Sequence, residues 1–337
     1  MLKAMVVGVG SMGRNHARVY RELPGVELVA VVDASEEAAS RVGRSLGVPF
    51  YSSVADSLES CEPDLVSLAA PTSEHHRLAS LLMGRGIHVL VEKPIASSLD
   101  EANDLVALAK KTKVVLAVGH IERFNPAVRE LRKRLSEDQL GKIYQIHAER
   151  LSPYPARIHD CGVVMDLASH DIDLITQLVP SMPYRLYGET LSSINTDRED
   201  LFNGLIRFQS GTLGVLNVNW TTPRKVRRLT LTGAKGMFTC DLLSQELFFY
   251  ENAALTSDWD ELSVLSGVSE GNVLGIRIPR SEPLRAELAD FVSAVQNQGA
   301  AAVSGEDGAA TLKYALQFIS SAQTHQVTDL LDPPKQV

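Results

Sequence analysis

A glycine-rich segment near the N-terminus constrains the fold more than any other stretch. An apolar run, Leu2 to Val7, breaks into GVGSMG at residues 8–13, and helical spacing follows from Met12 to Leu23. In such a strand–turn–helix unit the first glycine permits a tight turn, the second lets backbone approach a pyrophosphate, and the third lets the helix pack on the strand. The helix N-terminus offers N–H groups to an anion. The segment predicts a dinucleotide site; an ordinary glycine-rich turn is the alternative.

A second β-branched run, GVELVAVVD, ends in Asp33, about 20 residues beyond the glycine loop. A carboxylate there can accept hydrogen bonds from the adenosine ribose hydroxyls, and it would repel a 2′-phosphate. Asp33 therefore favours NAD over NADP as the cofactor. The alternative is that Asp33 only caps a helix that starts near Ser35.

Composition excludes several classes of protein. The chain has 337 residues, enough for about two domains, and its net charge of −8 without a basic stripe argues against nucleic acid as a partner. No apolar run has the length of a membrane span and no leader precedes the first strand, so we expect a cytoplasmic protein that makes no membrane contact. Three widely spaced cysteines without a C-x-x-C pair indicate a reducing compartment.

The order of predicted elements divides the chain into two domains. Strand and helix patterns alternate to about residue 124, as in a doubly wound parallel sheet of the Rossmann type. Short β-branched runs then predict a mainly antiparallel sheet, at 142–150, 184–192, 200–208, 212–220, 226–232 and 245–250. Helices are expected at 166–178, 284–296 and about 307–324.

The predicted fold class is accordingly α/β plus α+β. An NAD-binding Rossmann domain is expected at 1–124, and an α+β domain for substrate binding and oligomerisation at 125–330. The last helix of the second domain is a candidate to pack back on the first. The site is expected at the seam between the two domains.

Ligands of doubly wound sheets bind beyond the carboxyl ends of the strands, so polar residues there are candidates. After the glycine loop and Asp33, these positions hold Pro71, Thr72, His75, Glu92, Lys93, Arg123 and Asn125. A solvated His75 and a merely strand-terminating Pro71 are the alternatives for those two residues.

Lys93 follows a buried strand and precedes a proline. Its ammonium group can hydrogen-bond a substrate hydroxyl and stabilise charge on oxygen as a proton leaves. The alternative is a surface lysine that pairs with Glu92.

Asp166 and His170 are spaced i, i+4, so on a helix they share one face. A histidine held by a carboxylate suits general acid–base chemistry. The alternative is an aspartate N-cap beside a buried histidine. Zinc would need a third or fourth ligand, which the sequence does not suggest, so we predict no metal.

Further polar candidates lie near predicted strand ends and loops. The guanidinium fork binds two oxygens at once, so arginines there suit a phosphate-bearing substrate; solvated surface side chains are the alternative. The candidates are Arg123, Asn125, Arg150, Arg157 and His159.

Together these segments resemble the glucose-fructose oxidoreductase, inositol dehydrogenase and rhizopine-catabolism (Gfo/Idh/MocA) oxidoreductases over nearly the whole chain. The motifs that carry the resemblance are GVGSMG, APTSEHH, EKP at residues 92–94, the D-x-x-x-H of Asp166 and His170, and GEDGAATLKYAL near the C-terminus. The Gly-Gly that often precedes the aspartate in this family is Cys161-Gly162 here.

The resemblance implies an NAD(P)-dependent enzyme that oxidises a sugar or polyol hydroxyl, with Lys93, Asp166 and His170 around the nicotinamide. The residues expected at the cofactor are Gly8, Gly10, Ser11, Met12, Gly13, Asp33, Pro71, Thr72, His75, Glu92 and Lys93. The segments GHIERFNPAV and PARIHDCGVVMDLASHDID look like the branch of UDP-N-acetylglucosamine 3-dehydrogenases. Homo-oligomers, dimers or tetramers, are expected as in relatives.

Three other functions stay open. A dehydrogenase of a free polyol such as inositol would not need arginines for a diphosphate. Some relatives hydrolyse glycosides with a retained NAD. Others only bind a sugar or NAD and signal.

Overall fold

The structure, a computed structural model, describes residues 1–155, 161–194, 197–253 and 270–332. Within them the chain forms two compact units. Unit 1 comprises Met1–Phe124 and Glu282–Lys313, and unit 2 comprises Asn125–Ser281 and Tyr314–Val337. None of the described helices is long and apolar enough to cross a membrane.

Unit 1 contains a six-stranded parallel sheet in the order β3-β2-β1-β4-β5-β6. Its strands are β1 Leu2–Val7, β2 Val26–Val32, β3 Phe50–Tyr51, β4 Leu65–Leu68, β5 His88–Glu92 and β6 Leu116–Gly119. The intervening helices are α1 Gly13–Glu22, α2 Glu36–Leu46, α3 Val54–Ser60, α4 Thr72–Gly84 and α5 Leu99–Thr112. A 3-10 turn, Ile121–Phe124, follows β6.

The strands of this sheet are largely buried, and the central strand β4 and the edge strand β6 are buried at every residue. Continuous apolar runs of this kind are typical of parallel strands covered by helices on both sides. The alternation of strands and helices that the sequence predicts is confirmed here.

Two helices near the C-terminus contribute residues to unit 1. The helix α8, Pro283–Gln296, was expected in the second domain, but it belongs to unit 1 because Leu288 and Phe291 lie in the core under the parallel sheet. The helix α9, Gly305–Thr324, contributes its residues up to Lys313 to unit 1 and the rest to unit 2.

Unit 2 contains a nine-stranded sheet in the order β14-β13-β12-β11-β7-β10-β9-β8-β15, antiparallel except for the parallel pair β7 and β10. The strands are β7 Ile143–Leu151, β8 Pro183–Leu191, β9 Leu201–Phe208, β10 Leu213–Asn219, β11 Val226–Gly233, β12 Gly236–Asp241, β13 Glu246–Asn252, β14 Glu270–Ile276 and β15 Thr328–Asp329. The helices are α6 Pro126–Ser136 and α7 Ser169–Leu178. The predicted fold class is confirmed.

One face of this sheet forms the core of unit 2. A row of directly paired residues on that face, Ile206, Gly214, Ile146, Leu231 and Phe238, is buried throughout. The side chains of the next row point the other way, because successive residues of a strand alternate between faces. Six strands were predicted nearly in full; β12, β14 and β15 were not.

Candidate functional site

The glycine loop of unit 1 has the geometry that its sequence predicts. Gly8 has φ +84°, and a Cβ there would lie 2.5 Å from the Ala69 carbonyl oxygen. A Cβ on Gly13 would lie 1.7 Å from the Gly8 carbonyl oxygen, whereas one on Gly10 would meet no atom within 4 Å. Gly8 and Gly13 therefore make the turn and the strand–helix contact possible. Gly10 leaves an open backbone surface at the start of α1.

Asp33 ties the end of β2 to this loop. Its Oδ2 accepts a hydrogen bond from the Val9 N–H at 2.8 Å, and its Oδ1 accepts one from the Ser35 N–H at 2.9 Å. The side-chain cap of α2 is Ser35, whose Oγ accepts the Ala38 N–H. Asp33 is therefore not the cap itself. Each carboxylate oxygen has a second lone pair with which to accept a ribose hydroxyl.

His75 joins two of the predicted cofactor loops. Its Nε2 lies 2.8 Å from the Ala70 carbonyl oxygen and its Nδ1 lies 2.9 Å from that of Pro94, and the residue is only 1% exposed. Burial lowers the pKa of His75, and the two carbonyl acceptors oppose this. His75 is thus a clamp between the loops after β4 and β5 rather than a solvated helix residue. Pro71 and Thr72 begin α4 beside this clamp.

Glu92 points into unit 1, next to Lys93. Its Oε1 lies 2.9 Å from His16 Nε2, and its Oε2 accepts the Lys93 N–H at 3.2 Å. Burial alone would raise the pKa of Glu92, but the bond to His16 and the charges of His16 and Lys93 outweigh burial and hold this pKa below its usual value. Lys93 itself is half-buried at the carboxyl end of β5.

In unit 2, Asp166 and His170 lie on a helical segment that the sequence predicted only in part. Val164–Ala168 forms a π-helical turn, and the α-helix α7 begins at Ser169. The expected regular helix from residue 166 is therefore wrong in its first turn. Both side chains are half-buried.

Glu199 anchors the chain just before this π-helical turn. Its backbone carbonyl accepts the Val163 N–H at 3.0 Å, and its Oε1 accepts the Val164 N–H at 3.3 Å. A Cβ on Gly162 would lie 2.0 Å from the Glu199 carboxylate, so the glycine is required here. These contacts join residues that lie far apart in the sequence, and local sequence gives no sign of them.

Three predicted substrate residues have internal partners. Arg150 forms two hydrogen bonds with the Asp171 carboxylate, at 2.8 and 3.0 Å, and both residues are buried. Arg123 pairs with Asp307 at 3.1 Å within unit 1. Asn125 caps α6 and donates to the Leu242 carbonyl oxygen. The predicted substrate contacts of these residues stay predictions, as do those of Arg157 and His159, which lie outside the described residues.

Two buried polar residues of unit 1, His16 and Glu287, were not predicted from the sequence. Both occupy core-facing positions of helices: His16 lies beside Ala17 and Tyr20 in α1, and Glu287 beside Leu288 in α8. A charged or titratable residue within an apolar helical stripe is the signal that could have found them.

Comparisons with known proteins agree with this arrangement. Residues 2–120 match the model of an oxidoreductase family with an NAD-binding Rossmann fold, and residues 128–239 match the GFO/IDH/MocA C-terminal domain. The UDP-N-acetylglucosamine 3-dehydrogenase of Acidithiobacillus ferrooxidans is 30% identical over 94% of this chain and 96% of its own. The chain belongs to the Gfo/Idh/MocA family of oxidoreductases.

Two further comparisons within the family bear on fold and substrate. The solved structure of the Acidithiobacillus ferrooxidans enzyme superimposes with a TM-score of 0.86 at 29% identity, and covers 96% of this chain and 98% of that one. The NAD⁺-dependent scyllo-inositol 2-dehydrogenase of Bacillus subtilis is 29% identical over 66% of this chain and 68% of its own.

As a Gfo/Idh/MocA member, the chain is an NAD-binding oxidoreductase. The residues of unit 1 fit this cofactor: Gly10 leaves backbone accessible at the N-terminus of α1, and Asp33 offers carboxylate lone pairs at the end of β2. The predictions of an enzyme and of NAD are thereby confirmed.

Proposed function

We propose that this enzyme oxidises a sugar hydroxyl to a ketone with NAD, and that its substrate is the 3-hydroxyl of UDP-N-acetylglucosamine or of a related nucleotide sugar. The observation that carries the proposal is the 30% identity to a UDP-N-acetylglucosamine 3-dehydrogenase, which extends over 94% of this chain. That similarity includes both family domains and is not limited to the dinucleotide-binding half.

The cofactor is held in this proposal by the residues at the carboxyl ends of the parallel strands. The Gly8–Gly13 loop and the N-terminus of α1 receive the pyrophosphate, and Asp33 receives the ribose hydroxyls. Ser11 and Met12 belong to the same loop, and His75 holds the next two loops in register. When bound, NAD supplies the acceptor for hydride.

Lys93, Asp166 and His170 are the proposed catalytic residues. His170 or Lys93 accepts the proton of the sugar hydroxyl, and the other group holds the same oxygen through a hydrogen bond. Asp166 sets the tautomer and orientation of His170. The pH profiles of Lys93→Ala and His170→Ala separate the two candidates for the base, since the variant that lacks the base loses the acidic limb of the profile.

Arg157 and His159 are the proposed contacts to the diphosphate or the sugar. Arg123, Asn125 and Arg150 are the other proposed substrate contacts, and their side chains also bond to other residues of the protein.

A free-polyol dehydrogenase is the second candidate. It is favoured by the similarity to a scyllo-inositol 2-dehydrogenase, which covers about two thirds of each chain. This reading does not call for arginines that bind a diphosphate.

The test is the near-ultraviolet absorbance of NADH after the protein and NAD are mixed with UDP-N-acetylglucosamine, UDP-glucose, scyllo-inositol or myo-inositol. We expect NADH from UDP-N-acetylglucosamine, and a loss of roughly 10²- to 10⁴-fold in kcat in Lys93→Ala. Lys111→Ala, which removes an exposed lysine of α5, is the matched control and should retain turnover. Turnover with inositols alone would favour the second candidate. Calorimetric NAD binding without any turnover would favour a glycosidase or a sensor.

We also propose that the chain forms a dimer or tetramer through the outer face of the sheet in unit 2. That face carries exposed apolar residues such as Leu205 and Phe248 on β9 and β13. Leu205→Lys should reduce the mass measured by analytical ultracentrifugation, and an unchanged mass would exclude this face.

A further inference from the structure

Three titratable side chains converge inside unit 1. His16 of α1, Glu92 of β5 and Glu287 of α8 each offer a side-chain nitrogen or oxygen, and these atoms all lie within 4.8 Å of one another. The three residues are 0%, 9% and 2% exposed, respectively. This cluster, His16–Glu92–Glu287, brings together two carboxyl groups and one imidazole in the interior of unit 1.

The hydrogen bonds of the cluster are unevenly distributed. Glu92 bonds to His16 with one oxygen and to the Lys93 N–H with the other. Neither oxygen of Glu287 has a hydrogen-bond partner among the residues that the structure describes, and the same holds for His16 Nδ1. An ionised carboxylate that is buried without a bond costs several kcal/mol, so such a group takes up a proton instead.

Glu287 has no hydrogen bond to a cation among the described residues of unit 1. The 3-10 turn Ile121–Phe124, which packs against α8, carries Glu122 and Arg123, and Arg123 pairs with Asp307. From α1 Glu287 faces His16 and the phenol of Tyr20, which bonds to Ser67 Oγ. From β5 it faces Glu92, with Lys93 beyond, and on its own helix it has Asp290. Two surface arginines of these helices, Arg18 and Arg285, pair with Glu22 and Glu282.

These surroundings act on Glu287 in one direction. Burial, and then the negative charges of Glu92 and Asp290, raise the pKa of Glu287 well above its usual value. Glu92 differs, because His16 and the Lys93 N–H donate to it and hold its pKa low. The two carboxyl groups therefore divide one charge between them: Glu92 keeps it and Glu287 keeps the proton.

We propose that Glu287 carries a proton in the folded enzyme and acts as a positioning residue, because a neutral Glu287 permits the Glu92 carboxylate to hold His16 and the backbone of Lys93. This inference rests on the proposed catalytic role of Lys93. When the pH rises and Glu287 ionises, a second negative charge appears beside Glu92. The hold of Glu92 on Lys93 is then weakened.

The effect on stability has a definite sign. A carboxyl group whose pKa is raised by folding contributes its full stabilisation below the pKa of the unfolded chain, about 4.3 for glutamate, and loses it as the pH rises towards the folded value. Glu287→Gln keeps the shape of a protonated carboxyl group and cannot ionise. Relative to the wild type, its folding equilibrium constant should therefore grow by up to about tenfold per pH unit across that interval.

The experiment measures thermal and urea unfolding of the full chain from pH 4 to 9, with and without NAD, for the wild type, Glu287→Gln and a control, Glu59→Gln, which changes an exposed carboxyl of α3. We expect the Glu287→Gln curve to diverge upward from the wild type as pH rises and the control to run parallel to it. We also expect the kcat of the wild type to fall at alkaline pH, as Glu287 ionises, and this fall to lie at higher pH in Glu287→Gln, which a merely structural role would not cause. Parallel unfolding curves for Glu287→Gln would overturn the proposal.

Two further measurements keep the test decisive. If Glu287→Gln does not fold, the infrared carbonyl band of a protonated carboxyl group in the wild type at neutral pH decides, and its absence overturns the proposal. A stoichiometric divalent metal in the purified wild type that is lost in Glu92→Gln would also overturn it, because the cluster would then be a metal site. The unfolding, infrared and metal measurements need no substrate. They therefore test this proposal even if the proposed dehydrogenase activity is not found.

Discussion

Arg150 in unit 2 and Glu287 in unit 1 are both buried ionisable residues, but among the described residues only Arg150 is hydrogen-bonded to a group of opposite charge. Its guanidinium group bonds to both oxygens of Asp171. Glu287 instead lies beside a second carboxyl group, Glu92, and has no hydrogen bond to either oxygen among the described residues. In the Arg150–Asp171 pair the two charges compensate each other. In the Glu287–Glu92 pair the total charge depends on whether Glu287 carries a proton.

We interpret the Arg150–Asp171 pair as structural and the Glu287–Glu92 pair as part of the proposed catalytic region. The buried bidentate pair of Arg150 and Asp171 holds β7 against α7. A cluster with too few positive charges is costly to keep, and such costs are found most often where a protein functions. The under-compensated cluster of this chain adjoins Lys93, the proposed catalytic lysine. Four substitutions test this difference between the buried pair and the buried cluster.

Arg150→Met should have the largest effect, a loss of about 3–5 kcal/mol in the free energy of unfolding, because it leaves Asp171 charged and buried without its partner. Urea unfolding measures the loss. The double variant Arg150→Met/Asp171→Leu should recover most of it. Arg228→Met on the neighbouring strand is the control, since its pair with Glu149 lies at the surface at 3.9 Å. Equal losses for Arg150→Met and Arg228→Met would contradict the claim that the buried pair contributes more to stability than the surface pair.

His16→Ala should cost about 2–3 kcal/mol at neutral pH, because the Glu92 carboxylate loses a charge-assisted hydrogen bond. The pKa of Glu92 is held low in the wild type, so this contribution is present above the unfolded pKa of about 4.3 and disappears as the pH falls through the folded value. Unfolding curves of the two proteins should thus converge at acid pH. A deficit that is constant with pH would mean that only packing was lost.

Gly10→Ala should weaken NAD binding at the glycine loop and leave the buried cluster unchanged. A Cβ at Gly10 meets no protein atom, so stability should change by less than about 0.5 kcal/mol. NAD binding should weaken by roughly tenfold or more, about 1.4 kcal/mol, because the methyl group occupies the surface that the pyrophosphate approaches. Calorimetry measures the affinity. Gly84→Ala, also in open space at the end of α4, should leave it unchanged.

Tyr20→Phe should have the smallest effect, a loss of about 1 kcal/mol, since it removes one neutral buried hydrogen bond, to Ser67 at 2.8 Å. Urea unfolding again gives the value. The result provides an uncharged reference within unit 1 for the charged substitutions. A cost above that of His16→Ala would show that the charge of Glu92 is not what makes the cluster sensitive.

Much of the fold could be predicted from the sequence because its signals are local. The buried strands of unit 1, the six β-branched runs of unit 2 and the glycine loop each follow from residues close together in the chain. The strand β14 was not predicted. It pairs with β13, from which it is separated by a long stretch of sequence, and no local pattern indicates this pairing. Candidate site residues were identified by type and position at strand ends, but not by their partners.

Local sequence accounts for the dinucleotide-binding turn, since only glycine fits at Gly8 and Gly13, and motifs spread along the chain indicate the family. Three contacts are visible only in the folded chain: Arg150 pairs with Asp171, Glu199 bonds to the start of the turn before His170, and Glu287 lies beside Glu92. The physical reason is the range of the interactions. Backbone conformation follows from neighbours in sequence, whereas the charge state of a buried group follows from neighbours in space.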